Sequence, residues 1–162
     1  MAEDIELDPD EAFGVAAARV VRLRADELFA EQEGVLDTGD IERVHDMRVA
    51  TRRLRAALEI FAPCWVGGAR SEHKAVLREV KALADALGER RDPDVQVEEL
   101  GKLAARMPAA DRPGLDYVVA QMRERQEAAN AVLAAALEHA RDEDLHVRLR
   151  GLSTAALELA AS

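Results

Sequence analysis

The segment from Val44 to Phe61, VHDMRVATRRLRAALEIF, constrains the fold of this chain most strongly, because it has two different faces at helical spacing. At 100° per residue, Val44, Met47, Leu54, Leu58 and Phe61 gather on one arc, the arc a helix turns towards a core. His45, Arg48, Arg52 and Arg55 fall within roughly 80° of one another on a different arc. Arg53 leaves from a third side, and Arg43 lies in the first turn. The spacing i, i+3, i+7, i+10 makes a cationic ladder about 15 Å long at 1.5 Å per residue. Asp46 and Glu59 are the only acids between Val44 and Phe61, so little within the segment neutralises it. A solvated arginine face is the ordinary reading of such a helix. The shortage of carboxylates favours the sharper one, in which an extended anion lies along the ladder.

A second segment, Leu87–Val95 (LGERRDPDV), lies downstream. Together the two segments resemble the signatures of the CHAD domain, the conserved histidine α-helical domain. The first resembles its signature helix, and the second matches its LG-x-x-RD-x-DV pattern. The similarity runs from roughly Glu11 to Leu159 and is specific in these two motifs. It implies an all-helical domain that binds inorganic polyphosphate and has no catalytic activity. It also implies site residues: His45, Arg48, Arg52, Arg53 and Arg55 from the signature helix, Lys74 and Lys81 at basic positions of the family, Arg91 of the RD pair, which reads equally well as a structural arginine paired with an acid, and Arg125 near a position where the family often has arginine. CHAD domains generally have two similar helical halves facing each other across a cavity. Here one HxxRxxxRRxR-type helix is present, and His139 and His146 do not rebuild a second. The chain therefore reads as one half, with residues 1–8 an acidic tail and 9–162 the helical domain. A homodimer or a partner helical half would then face the basic wall.

The residues support the same class independently. Hydrophobic residues make up 49% of the 162, yet aromatics only 3%. A core of Ala, Leu and Val suits close-packed helices better than sheets. No strand-like alternation with turn chemistry appears. The cap grammar predicts an antiparallel bundle of about six helices. Asp8-Pro9 opens the first, which stops at Gly34, and Asp40 caps the second, which ends before Pro63. The third runs from about Ser71 to Gly88 with Lys74, Arg78 and Lys81 as a second basic stripe at i, i+4 and i+7; with the second and third helices antiparallel, this stripe and His45, Arg48, Arg52 and Arg55 are expected to flank one polyphosphate-binding groove. Asp92-Pro93-Asp94 opens a short fourth helix ending near Arg106. The fifth spans about Pro113 to Ala140 and the sixth about Glu143 to Ala160.

The net charge of −10 argues against a polyanion only until it is located. From Ile41 to Arg91 there are 11 Lys/Arg and 7 Asp/Glu, a local +4; the remainder carries 11 and 25, a local −14. The global field repels anions beyond a Debye length, while a basic groove attracts them at contact. Arginine supplies a planar fork for paired phosphate contacts and lysine an adaptable point charge. An imidazolium at His45 would add charge-assisted hydrogen bonds to a phosphate; the structural alternative for a first-turn histidine is a bond to a loop carbonyl. His73, His139 and His146 lack such context and read as surface residues.

Other chemistries find less support. Glu42-x-x-His45 and Glu143-x-x-His146 have the spacing of di-iron carboxylate bundles. Both sit in first turns, and Arg43 and Arg48 would repel a dication, so no metal or other cofactor is expected. His45-Asp46 lacks the upstream histidine of the HD-type phosphohydrolases. No glycine-rich phosphate loop, zinc-spaced Cys/His cluster or activated Ser or Cys is evident, so the reading is a binding protein and not an enzyme. Nucleic acid is not the expected partner, since Phe13, Phe29, Phe61, Trp65 and Tyr117 read as core or loop anchors and leave no stacking platform. No apolar run reaches membrane-spanning length. One cysteine, Cys64, and no signal-like N-terminus suggest a cytoplasmic address, with polyphosphate granules as a location the family resemblance suggests. The alternative of another class is an interaction bundle whose basic face meets an acidic protein.

Overall fold

The computed structural model describes residues 5–161 and is all-α. Its helices are α1 (Phe13–Ala30), α2 (Ile41–Ile60), α3 (Gly68–Arg106), α4 (Arg112–Asp142) and α5 (Leu145–Ala160), with short 3-10 turns at Ala62–Cys64 and Ala109–Asp111. Half of the acidic tail expected over residues 1–8 lies outside the described residues. The bundle is as expected; the helix count differs because the third and fourth expected helices are one.

That merger is the main correction. Gly88 and Pro93 were natural stop signals, yet α3 runs through both for 39 residues. Gly88 does not adopt the left-handed conformation of a helix stop. Pro93 removes one backbone donor, which normally breaks a helix at about 3 kcal/mol. Here the flanking turns are held from the side by α4. Arg90 and Asp94, both fully buried, form an ion pair across Pro93. Gln126 Nε2 donates to Asp94 Oδ1 at 2.6 Å, and Arg90 Nε donates to Asn130 Oδ1 at 3.1 Å. Asp94 is thus an interior residue rather than a first-turn one, and Asp92 is exposed instead of capping.

The start of the chain is also corrected. Asp8-Pro9-Asp10-Glu11 forms a closed turn, with Glu11 N–H donating to Asp8 O at 3.1 Å and Asp8 N–H to Glu11 Oε1 at 3.3 Å. These bonds satisfy the turn locally, so the helix begins only after Ala12, whose backbone is extended. Its end likewise falls at Ala30, with turns leading to Gly34 at φ +72°.

The helices pack antiparallel, as named contacts show. His73 Nε2 lies 2.8 Å from Leu58 O near one end of the α2–α3 pair, and Arg91 Nη1 donates to Ile41 O at 3.1 Å at the other. Between α1 and α5, Asp26 pairs with His146 at 2.7 Å, while Gly14 approaches Ala156 so closely that a Cβ would stand 2.7 Å from its carbonyl oxygen. The predicted core arc of α2 is buried throughout: Val44, Met47, Leu54, Leu58 and Phe61. They meet Val21, Ala25 and Leu28 of α1, Val76, Val80, Leu83 and Leu87 of α3, and Leu149 and Leu152 of α5 in one apolar cluster.

Beyond that core, α3 and α4 project as a pair. At 1.5 Å per residue α3 is about 58 Å long and α2 about 30 Å. No residue from 95 to 125 is buried. Tyr117, expected as an anchor, is 68% exposed on this arm, and Phe13 is 53% exposed against Phe61. Two histidines also differ from expectation. His73 is buried and stacked on Trp65, with ring centroids 4.6 Å apart. His146 stacks on Phe29 and pairs with Asp26.

Candidate anion-binding groove

The α2 helix buries its apolar arc between α1 and α3, and that fixes where its cationic arc must point. His45, Arg48, Arg52 and Arg55 line one groove of about 700 Å³ together with Val49. Its opposite wall is a single stretch of α3: Ala84, Asp85, Gly88 and Glu89. The wall is low because two of these four residues are Gly and Ala. A Cβ placed on Gly88 would meet nothing within 4 Å, so this glycine leaves groove space open.

The electrostatics of the two walls differ. Among the described residues, Arg48 and Arg52 make no hydrogen bond or ion pair, although both are exposed beside acids of α3. Asp85 and Glu89 likewise make none. The groove is therefore cationic along α2 and mildly acidic along α3, with no ion pair between Arg48 or Arg52 and Asp85 or Glu89. Unit cations about 6 Å apart in water repel by roughly 0.7 kcal/mol per pair. An anion bridging them relieves that repulsion.

The ladder ends at Glu59. Arg55 Nε and Lys81 Nζ both reach the same oxygen, Glu59 Oε1, at 3.1 Å. The hydrogen bond from Arg55, then that from Lys81, holds this carboxyl below the usual carboxylate range. Glu59 thereby joins the α2 ladder to the α3 stripe.

The remaining expected residues are dispersed. Arg53 lines a separate groove of about 470 Å³ between α1 and α2, with Glu27, Glu31, Asp46 and the other edge of His45. Lys74 and Arg78 are exposed on α3 and unpaired among the described residues; neither they nor Lys81 line the main groove, whose α3 wall carries Asp85 and Glu89 in place of the expected second basic stripe. Arg91 is half-buried, bonded to Ile41 O and 3.6 Å from Glu42 Oε1. Arg125 is exposed on α4, outside the groove lining, while its neighbour Gln126 turns inward to Asp94.

Two features escaped the sequence reading. The acidic wall is a continuation of the basic stripe: Lys74, Arg78 and Lys81 lead at the same spacing to Asp85 and Gly88. Ending the helix at Gly88 hid that continuation. The second is the pair Arg90–Asp94, at i and i+4 and opposite in charge, a signal that was present but cut by the expected break. Among the described residues no group of three or more His, Cys, Asp or Glu is placed to hold a metal ion, and no helix is long and apolar enough to cross a membrane.

A family model described as CHAD domain matches residues 19–162, from within α1 to the last residue. No curated protein and no solved structure matches the chain.

Proposed function

The chain belongs to the CHAD domain family, and from that premise we propose that it binds inorganic polyphosphate, without catalysing its turnover, along the α2 wall of the groove. The observation that carries this reading is the pair of unengaged guanidinium groups, Arg48 and Arg52, on the wall of an open groove that His45 and Arg55 extend. Unpaired permanent cations in file suit an anion whose charges are also in file. Each phosphate that displaces condensed counterions adds to affinity at low salt, so binding is electrostatic and steeply salt-dependent.

The primary contacts in this reading are His45, Arg48, Arg52 and Arg55. Lys81 joins them at the far end, and Lys74 and Arg78 extend the track for longer chains. Arg53 serves a ligand that overhangs onto the α1 side. Arg91 positions the start of α2, and Arg125 stands apart from the groove. The acidic wall of Asp85 and Glu89 keeps the ligand on the α2 side. A long chain held on one open wall leaves its other side free, so a second copy can close over it; dimerisation through this face requires the anion as a bridge, because two cationic walls repel.

Titration calorimetry with polyphosphate of defined lengths, orthophosphate, ATP, RNA and polyglutamate at two salt concentrations tests the reading. Linked phosphates engage successive cations at high effective concentration. Long polyphosphate should bind far more tightly than orthophosphate and should displace polyglutamate of equal charge. Equal binding of polyglutamate would instead favour an acidic protein as the partner.

A further inference from the structure

Glu59 occupies a position that the polyphosphate reading does not explain by itself. It is an acid set at the end of a cationic ladder, and one of its oxygens holds two cations at 3.1 Å each. One of them, Arg55, lines the groove; the other, Lys81, is the last cation of the α3 stripe. The side chains of Arg55, Glu59 and Lys81 are 44%, 43% and 42% exposed, so the cluster is wet and its ion pairs are individually weak and exchangeable. Arg55 precedes Glu59 by four residues on α2, which is the less favourable order for a helical ion pair. Helix stability therefore gives little reason for this carboxylate. Its geometry is that of a resident anion.

We propose that Glu59 is an intramolecular competitor that occupies Arg55 and Lys81 against short anions and yields them to long ones. The inference rests on the polyphosphate reading and adds a length filter to it. A small anion arriving from solution must displace a carboxylate that is tethered in place and present at high effective concentration. Of the arginines lining the groove, Arg48 and Arg52 then remain for it, beside His45. A long polyphosphate anchored at Arg48 and Arg52 delivers its next phosphates to Arg55 as a tethered group too, and competes with Glu59 on equal terms. Once Glu59 is displaced, Arg55 and Lys81 join the α2 and α3 stripes into one continuous track. Short phosphate compounds are thereby disfavoured without a closed pocket to exclude them.

The test compares the full chain with Glu59→Gln and with Asp85→Asn, which removes a groove acid that holds no cation. Each is titrated with tripolyphosphate and with long polyphosphate at two salt concentrations, and circular dichroism checks the fold. Glu59→Gln should tighten tripolyphosphate about fivefold and steepen its salt dependence, while long polyphosphate gains less than about twofold. Asp85→Asn should strengthen both ligands to a similar degree without changing either salt slope. Unchanged tripolyphosphate affinity in Glu59→Gln, or equal gains for the two ligands, would overturn the competitor role. A native chain that fails to bind long polyphosphate would overturn the polyphosphate reading itself, and the role of Glu59 with it.

Discussion

Arg91 donates through Nη1 to the carbonyl oxygen of Ile41 at 3.1 Å, and so fastens the middle of α3 to the first residue of the helix that carries the cationic ladder. The contact ties α3 to α2 one helical turn before His45, beside that end of the groove. It also uses a residue that the family motif nominates for the ligand. Replacing Arg91 with Met keeps the apolar stem and removes one hydrogen bond and a long ion pair to Glu42. The expected cost is about 1 kcal/mol, or a fall in melting temperature of roughly 2–4 °C. Polyphosphate affinity should fall modestly with an unchanged salt slope, because no ladder cation is lost. A reduced slope at unaltered stability would make Arg91 a direct phosphate contact.

Gly88 separates stability from binding. Its absent side chain opens the α3 wall, and a Cβ there meets nothing within 4 Å. Gly88→Ala should stabilise α3 by about 0.5–1 kcal/mol through helix propensity alone. Gly88→Leu should also fold, yet its side chain would enter the groove and weaken polyphosphate binding. Thermal melts and titrations of both variants check this. Native affinity in a folded Gly88→Leu protein would remove this part of α3 from the site.

The Arg90–Asp94 pair predicts the opposite pattern. Both side chains are fully buried, and Asp94 Oδ2 has no hydrogen-bond partner. Asp94→Ala leaves a guanidinium uncompensated in the interior and should destabilise the protein by about 3–5 kcal/mol. The double variant Arg90→Met, Asp94→Leu should recover much of that loss, since removing both charges avoids the desolvation cost. Urea denaturation measures both. An Asp94→Ala protein within about 1 kcal/mol of native stability would contradict a charge pair sealed from water.

These sites show how far the sequence could be read. The two faces of α2 follow from single-helix periodicity, so the buried arc from Val44 to Phe61 and the ladder from His45 to Arg55 were both legible. The bundle class followed from an aromatic-poor, Leu- and Ala-rich composition. What failed were judgements in which a local stop signal competed with tertiary packing. Gly88 and Pro93 break an isolated helix, and only the Gln126 and Asn130 side chains of α4 reveal why α3 continues. His73 looked like a surface histidine because its partners, Leu58 O on α2 and the Trp65 ring in the connection before α3, meet it only once α2 and α3 fold against each other. The acidic wall depended on the same unbroken α3. Glu59 was visible only as one of too few acids; that its single oxygen gathers cations from two helices is a fact of packing.

The central claim is that the ladder on α2 is the anion-binding wall, and it is tested most directly by salt-dependent polyphosphate titration of Arg48→Gln, Arg52→Gln, Arg55→Gln. All three side chains are exposed, and none bonds to another helix, so helicity by circular dichroism should match the native chain. Losing three phosphate contacts should lower the slope of log affinity against log salt by about 2, with affinity reduced at least about tenfold at low salt. A folded triple variant with native affinity and native slope would contradict the account.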